Sequence, residues 1–103
     1  MKKYIANIVN HAAVSEKSIE RYLCFRCTVH GGVCLKYSNP NQAGYPDRVM
    51  LLPNGRTIWV ELKSMGEKPR RLQVERMKKL ASLGHEVHVC DSKQSVDEIF
   101  NGL

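Results

Sequence analysis

Residues 46–63 read Pro46-Asp47-Arg48-Val49-Met50-Leu51-Leu52-Pro53-Asn54-Gly55-Arg56-Thr57-Ile58-Trp59-Val60-Glu61-Leu62-Lys63. Two apolar runs, 49–52 and 57–60, flank a turn at Pro53-Asn54-Gly55. Apolar runs on either side of an Asn-Gly pair are the strongest short-range signal of a β-hairpin. Asp47 stands where the first strand begins, and Glu61-Leu62-Lys63 where the second ends. An antiparallel pair brings those positions to one end of the sheet. Side chains alternate along a strand, so Glu61 and Lys63 share a face and Leu62 takes the other. Two carboxylates and an ammonium at one mouth suit a hard divalent cation and a phosphodiester.

The rest of the chain supplies one small domain around this hairpin. Its 103 residues suffice for a single core, and 43% hydrophobic with 25% charged residues is ordinary for a globular chain. Net charge is +6 and the sequence pI is about 9.3, which favours a polyanionic partner, nucleic acid before an acidic membrane surface. No apolar run approaches the roughly 20 residues of a membrane span. Asn7, Asn10 and His11 interrupt any apolar core after Met1-Lys2-Lys3, so no signal peptide is expected and the default compartment is the cytoplasm. Cys24, Cys27, Cys34 and Cys90 then read as free thiols. Cys24-Phe25-Arg26-Cys27 with His30 and Cys34 has the look of a clustered zinc site, but it lies along a helix and its end rather than across a turn.

Residues 1–13 read as an N-terminal arm or a short strand. Ser15 is an N-cap, and Ile19, Tyr22, Leu23 and Cys27 recur at helical spacing, which predicts a helix over 16–30 that stops at Gly31-Gly32. Glu16 falls in its first turn, where the helix macrodipole stabilises a negative charge, and Glu20 lies one turn on. A strand follows at 33–38. Residues 39–46 form a turn-rich loop that feeds into Asp47, and the hairpin strands fall at 48–53 and 57–63. Pro69 suits the first turn of a second helix, with Leu72, Met77, Leu80 and Leu83 at helical spacing and Gly84 closing it. Residues 86–90 alternate as a strand with Val87 and Val89 inward, and a short helix runs over 94–100. The order αβββαβ plus a terminal helix is a mixed α/β domain, a central sheet covered by helices.

Asp47 followed across a hairpin by Glu61-x-Lys63 resembles the PD-(D/E)XK nuclease superfamily. Gly44-Tyr45-Pro46-Asp47-Arg48, Trp59-Val60-Glu61-Leu62-Lys63 and Lys68-Pro69-Arg70-Arg71-Leu72-Gln73 are similar to its virus-type replication-repair nuclease (VRR-NUC) family. Ser15-Glu16-Lys17-Ser18-Ile19-Glu20 and Leu83-Gly84-His85-Glu86-Val87 fit as well, so the resemblance covers about residues 14–100. It implies a restriction-endonuclease-like αβββαβ core, a Mg²⁺- or Mn²⁺-dependent DNA endonuclease, and a small stand-alone phage-type member acting on branched DNA such as four-way junctions. By residue, it implies metal-binding acids at Asp47 and Glu61, a lysine at Lys63, a helix glutamate at Glu16 or Glu20 and a glutamine at Gln73.

The chemistry of the residues agrees with that implication. Asp47, Glu61 and the Leu62 carbonyl offer oxygen ligands to Mg²⁺ or Mn²⁺, with Glu16 a further one. Lys63 can position a water or stabilise charge in the transition state. Gln73 can hydrogen-bond a water or a phosphate. Arg48, Lys68, Arg70 and Arg71 are expected phosphate contacts, and Arg76, Lys78 and Lys79 extend the basic face. A near-symmetric junction suits a two-fold homodimer. The plainer reading is a strand-end ion pair between Glu61 and Lys63 with Asp47 capping a turn. The competing functions are a non-catalytic DNA-binding module and a small RNA-processing or zinc-binding protein.

Overall fold

The computed structural model describes residues 15–103; the expected arm or strand at 1–13 lies outside the described residues. Helix α1 spans Glu16–Val29, strand β1 Val33–Lys36, β2 Arg48–Leu52 and β3 Arg56–Leu62. Helix α2 spans Arg71–Ser82, strand β4 Glu86–Cys90 and helix α3 Lys93–Asn101. This is the expected mixed α/β order. The strands form one sheet in the order β1-β2-β3-β4, antiparallel except for the parallel pair β3/β4.

Local chemistry sets the ends of the elements. The Ser15 hydroxyl accepts the Ser18 amide and starts α1, and Gly31, at φ 81, ends it in the left-handed conformation that only glycine takes freely. Leu52 pairs with Arg56, which leaves Pro53-Asn54-Gly55 as the hairpin loop. Asn54 lies at φ 66 and Gly55 at φ 74, which is why an Asn-Gly pair occupies this turn. The second helix starts later than expected. Gln73 reaches back to accept the Arg70 amide at 2.8 Å, so Arg70 caps the helix and Pro69 lies outside its first turn.

The strand alternation divides the sheet into two faces. Met50, Leu52, Ile58, Val60, Leu62 and Cys90 point to one face and are buried against Ile19, Leu23 and Cys27 of α1 and Val96, Ile99 and Phe100 of α3. The expectation that Val87 and Val89 point into this core is wrong by one residue. Cys90 pairs with Leu62 and is fully buried, whereas Val89 pairs with Glu61 on the opposite face and is 40% exposed. A parallel neighbour follows its partner's register, and Leu62 had already claimed the core. That opposite face carries Trp59 and Glu61 and is covered on its β4 side by α2, through Val74, Met77 and Ala81 facing Val87 and Val89.

Ile58 is fully buried at the centre of the principal core. Ile58→Ala therefore lowers stability by about 2–5 kcal/mol, through lost burial and the cavity left behind. Urea unfolding with an unchanged m-value checks it.

Candidate active site

The β2/β3 ladder pairs Arg48 with Val60, so its next step sets Asp47 opposite Glu61. The Leu62 amide donates to Asp47 Oδ1 at 3.2 Å and fixes that carboxylate across the strand ends. Glu61 is 3% exposed and Lys63 9%. Lys63 Nζ stands 3.4 Å from Glu61 Oε2. Gln73, from the first turn of α2, donates its Nε2 hydrogen to the same oxygen at 3.2 Å. The Arg70 amide on Gln73 Oε1 sets which way the Gln73 amide faces, so its NH₂ group is presented to Glu61. Asp47, Glu61, Lys63 and Gln73, singled out from sequence, thus converge. The pair Glu61–Lys63 is buried, unlike the exposed strand-end pair of the plainer reading, and removing either partner would strand a charge.

The two helix glutamates have different surroundings. Glu20 Oε2 accepts from Arg48 Nε at 3.1 Å and pairs with Arg48 Nη2 at 3.1 Å. Glu16 has no such partner among the described residues, and burial together with the Asp47 charge raises its pKa while Lys63 lowers it. Glu16 is therefore the helix carboxylate within electrostatic reach of Asp47 and Lys63. The same ion pair occupies Arg48, expected from sequence as a phosphate contact. Its side chain is 15% exposed and turned toward α1, where it braces β2 against the helix. Lys68, Arg70 and Arg71 are exposed beside the start of α2, Arg71 with a loose Glu75 pair at 3.6 Å.

Asp47 and Glu16 both act on Glu61, and Lys63 opposes them. Burial, then the Asp47 charge, pushes the Glu61 pKa up to about 7 against the opposing pull of Lys63. Among the described residues, no three His, Cys, Asp or Glu side chains converge closely enough to hold a metal ion by themselves. Mg²⁺ and Mn²⁺ ask for less, since one or two carboxylates with retained waters is their usual protein complement. The hard-oxygen carboxylates of Asp47 and Glu61, set opposite each other, fit such a cation. The zinc alternative is not supported by the geometry. Cys27 is buried in the core, the His30 ring packs on Phe100 at a centroid distance of 4.8 Å, and burial beside Cys24 pushes the Cys34 thiol up to about 12. A cavity of about 360 Å³ lined by His30, Leu52, Pro53, Asn54, Arg56 and Leu103 sits at the opposite, turn end of the hairpin. It has no Asp or Glu in its lining.

A Glu61 pKa of about 7 against an ordinary 4.5 carries a stability consequence. Between those values the folded state holds the proton and the unfolded state has lost it. Stability of the metal-free protein is thus present below pH 4.5 and falls as pH rises toward 7, by up to about 1.4 kcal/mol per pH unit for this one proton. Glu61→Gln cannot ionise and flattens the fall. Urea titrations of both proteins in chelator across that window measure the difference.

No family model matches the chain. It is 42% identical over 80 residues to a protein of Acyrthosiphon pisum secondary endosymbiont phage 1 named "Putative nuclease p44", an alignment covering 78% of this chain and 86% of that protein. A solved structure described as a VRR_NUC domain superposes with a TM-score of 0.79 at 29% identity, covering 84% of this chain and 94% of the other. The alignment to the phage protein and the shared fold lead to one assignment: this chain belongs to the virus-type replication-repair nuclease family.

Proposed function

We propose that this protein is a Mg²⁺- or Mn²⁺-dependent DNA endonuclease that cuts branched DNA, four-way junctions included, as a homodimer. The observation that carries the reading is the convergence of half-buried Asp47 with buried Glu61, Lys63 and Gln73 at one sheet end, with the Glu16 charge felt by Glu61. Asp47, Glu61 and the Leu62 carbonyl would hold the cation, with Glu16 reaching it directly or through a water. Bound there, the cation lowers the pKa of a water and neutralises phosphate charge.

The protein's own groups then have separable tasks. Gln73 holds Glu61 in one orientation and leaves its other oxygen free for a ligand. Lys63 directs an ammonium at the phosphate and stabilises the charge that builds on its oxygens. Lys68, Arg70 and Arg71 bind flanking phosphates and set the backbone's register over the site. A net charge of +6 favours encounter with DNA. Free thiols at all four cysteines suit the cytoplasm, that of the host for a phage-encoded protein.

The homodimer reading has a surface to support it. Among the described residues, α2 leaves β1 and β2 uncovered on the sheet face that carries Glu61, with Val33 55%, Leu35 46% and Leu51 43% exposed. These three form one apolar patch beside β1, an edge strand of the described sheet. A second copy is the partner that a near-symmetric junction calls for.

A cleavage panel of flaps, hairpins and four-way junctions with Mg²⁺ or Mn²⁺ tests the activity. Asp47→Asn and Glu61→Gln abolish cutting, Lys63→Ala lowers kcat by about 10²–10³-fold, and Gln73→Ala costs about 10–100-fold. Wild-type rates from the Asp47 and Glu61 variants would refute the site, and an inactive wild type would favour the non-catalytic DNA-binding module. Light scattering reads assembly separately: the wild type runs as a dimer and Leu35→Glu as a monomer.

A further inference from the structure

Arg76 belongs to the basic face of α2, where the sequence suggests a phosphate contact. The structure turns it inward, onto the loop at 39–46. Its Nε donates to the Ala43 carbonyl at 2.9 Å, and its guanidinium lies 5.0 Å above the Tyr45 ring centroid. Between those two residues, Gly44 at φ +94 backs onto α2. A Cβ there would meet Leu72 Cγ at 2.8 Å and Arg76 Cγ at 3.2 Å. The loop is thus fastened to the helix by a hydrogen bond, a cation–π contact and a close backbone approach.

The fastening leads directly to the candidate metal site. Tyr45 packs edge-on against Tyr37, with centroids 6.2 Å apart, and Tyr37 against Trp59 at 5.2 Å. Pro46 is fully buried, and the next residue is Asp47. The Asp47 carbonyl accepts the Tyr37 amide at 2.8 Å, and its carboxylate accepts the Leu62 amide. Helix α2 also holds Glu61, through Gln73. Gln73 and Arg76 lie three residues apart, neighbours on one side of the helix. One rigid element therefore reaches both carboxylates, Glu61 by a direct bond and Asp47 through the loop.

We propose that Arg76 is a positioning residue: by tying 39–46 to α2 it fixes the Asp47 carboxylate against Glu61, and so sets the affinity of the site for a divalent cation. Only the last step rests on the nuclease reading. The competing role is phosphate binding: the contact with Ala43 uses only Nε, so the two Nη groups stay available to a phosphate and experiment separates the two roles.

The test compares wild type, Arg76→Met and Arg76→Lys. The Leu62 amide is bonded to Asp47, so its hydrogen exchange in chelator reports the position of Asp47 without metal or activity. In R76M, Leu62 exchange speeds about tenfold or more while Ile58 and Val60 keep their wild-type rates, and R76K falls between. Calorimetry with Mn²⁺ shows binding weakened several-fold in R76M and partly restored in R76K. Unchanged Leu62 exchange overturns the proposal. So does equal acceleration at Ile58 and Val60, which marks a general loss of stability. Weaker DNA binding with a shallower salt dependence, beside unchanged Leu62 exchange and Mn²⁺ binding, makes Arg76 a phosphate contact and also overturns it. A wild type that binds no Mn²⁺ while R76M still frees Leu62 upholds the tie to Asp47 and refutes the metal-dependent reading.

Discussion

The register between β2 and β3 is the constraint on which the molecule depends. Arg48 opposite Val60 puts Asp47 opposite Glu61, and the Leu62 amide then closes on the Asp47 carboxylate. A slip of one residue would turn Glu61 into the core and Leu62 out of it. The core residues that enforce the register, Met50, Ile58, Val60 and Leu62, are fully buried on the opposite side of the same strands. Packing on one face thereby positions chemistry on the other. The hairpin turn contributes from the far end, since Asn54 and Gly55 both accept positive φ and fix the loop length that sets the pairing.

Burial gives the carboxylates their character. A lone strand-end glutamate in water would be a weak partner for a lysine and no more. At 3% exposure, with Asp47 opposite and Glu16 near, Glu61 resists ionisation until about pH 7 although Lys63 stands 3.4 Å away. Burial of the charge, and then its repulsion from Asp47, cost stability, and the proposed cation would offset both. The surrounding hydrogen bonds are arranged to hold that cost: Gln73 and Lys63 share one Glu61 oxygen, and the Leu62 amide takes one Asp47 oxygen.

Some features were readable in order along the chain because their causes are local. The Ser15 cap, the Gly31 stop and the Asn54-Gly55 turn each follow from the backbone preferences of the residues involved. Others turn on partners distant in sequence. Glu16 and Glu20 differ by one helical turn, and nothing local says that Arg48 engages Glu20. Arg76 reads as one more cation on a basic helix until Ala43 and Tyr45 are seen beneath it. Alternation alone turns Val87 and Val89 of β4 inward, because they outrank Glu86 and His88 in hydrophobicity. The strand's true orientation follows from pairing with β3, and α2 gives Val87 and Val89 a second apolar surface.

The sequence by itself determined the elements, their order, the hairpin and the placing of Asp47, Glu61 and Lys63 at one strand end. Periodicity, capping and alternation act over a few residues and need no knowledge of the fold. Only the tertiary structure decided that Gln73 reaches Glu61, that Arg48 is held by Glu20, that Arg76 holds the loop before Asp47, and that the Cys24–Cys34 segment forms no metal cage among the described residues. Those outcomes depend on which faces meet when two helices and a loop close on the sheet. That geometry is set by packing across long stretches of chain, and a side chain's charge does not record which partner will be waiting for it.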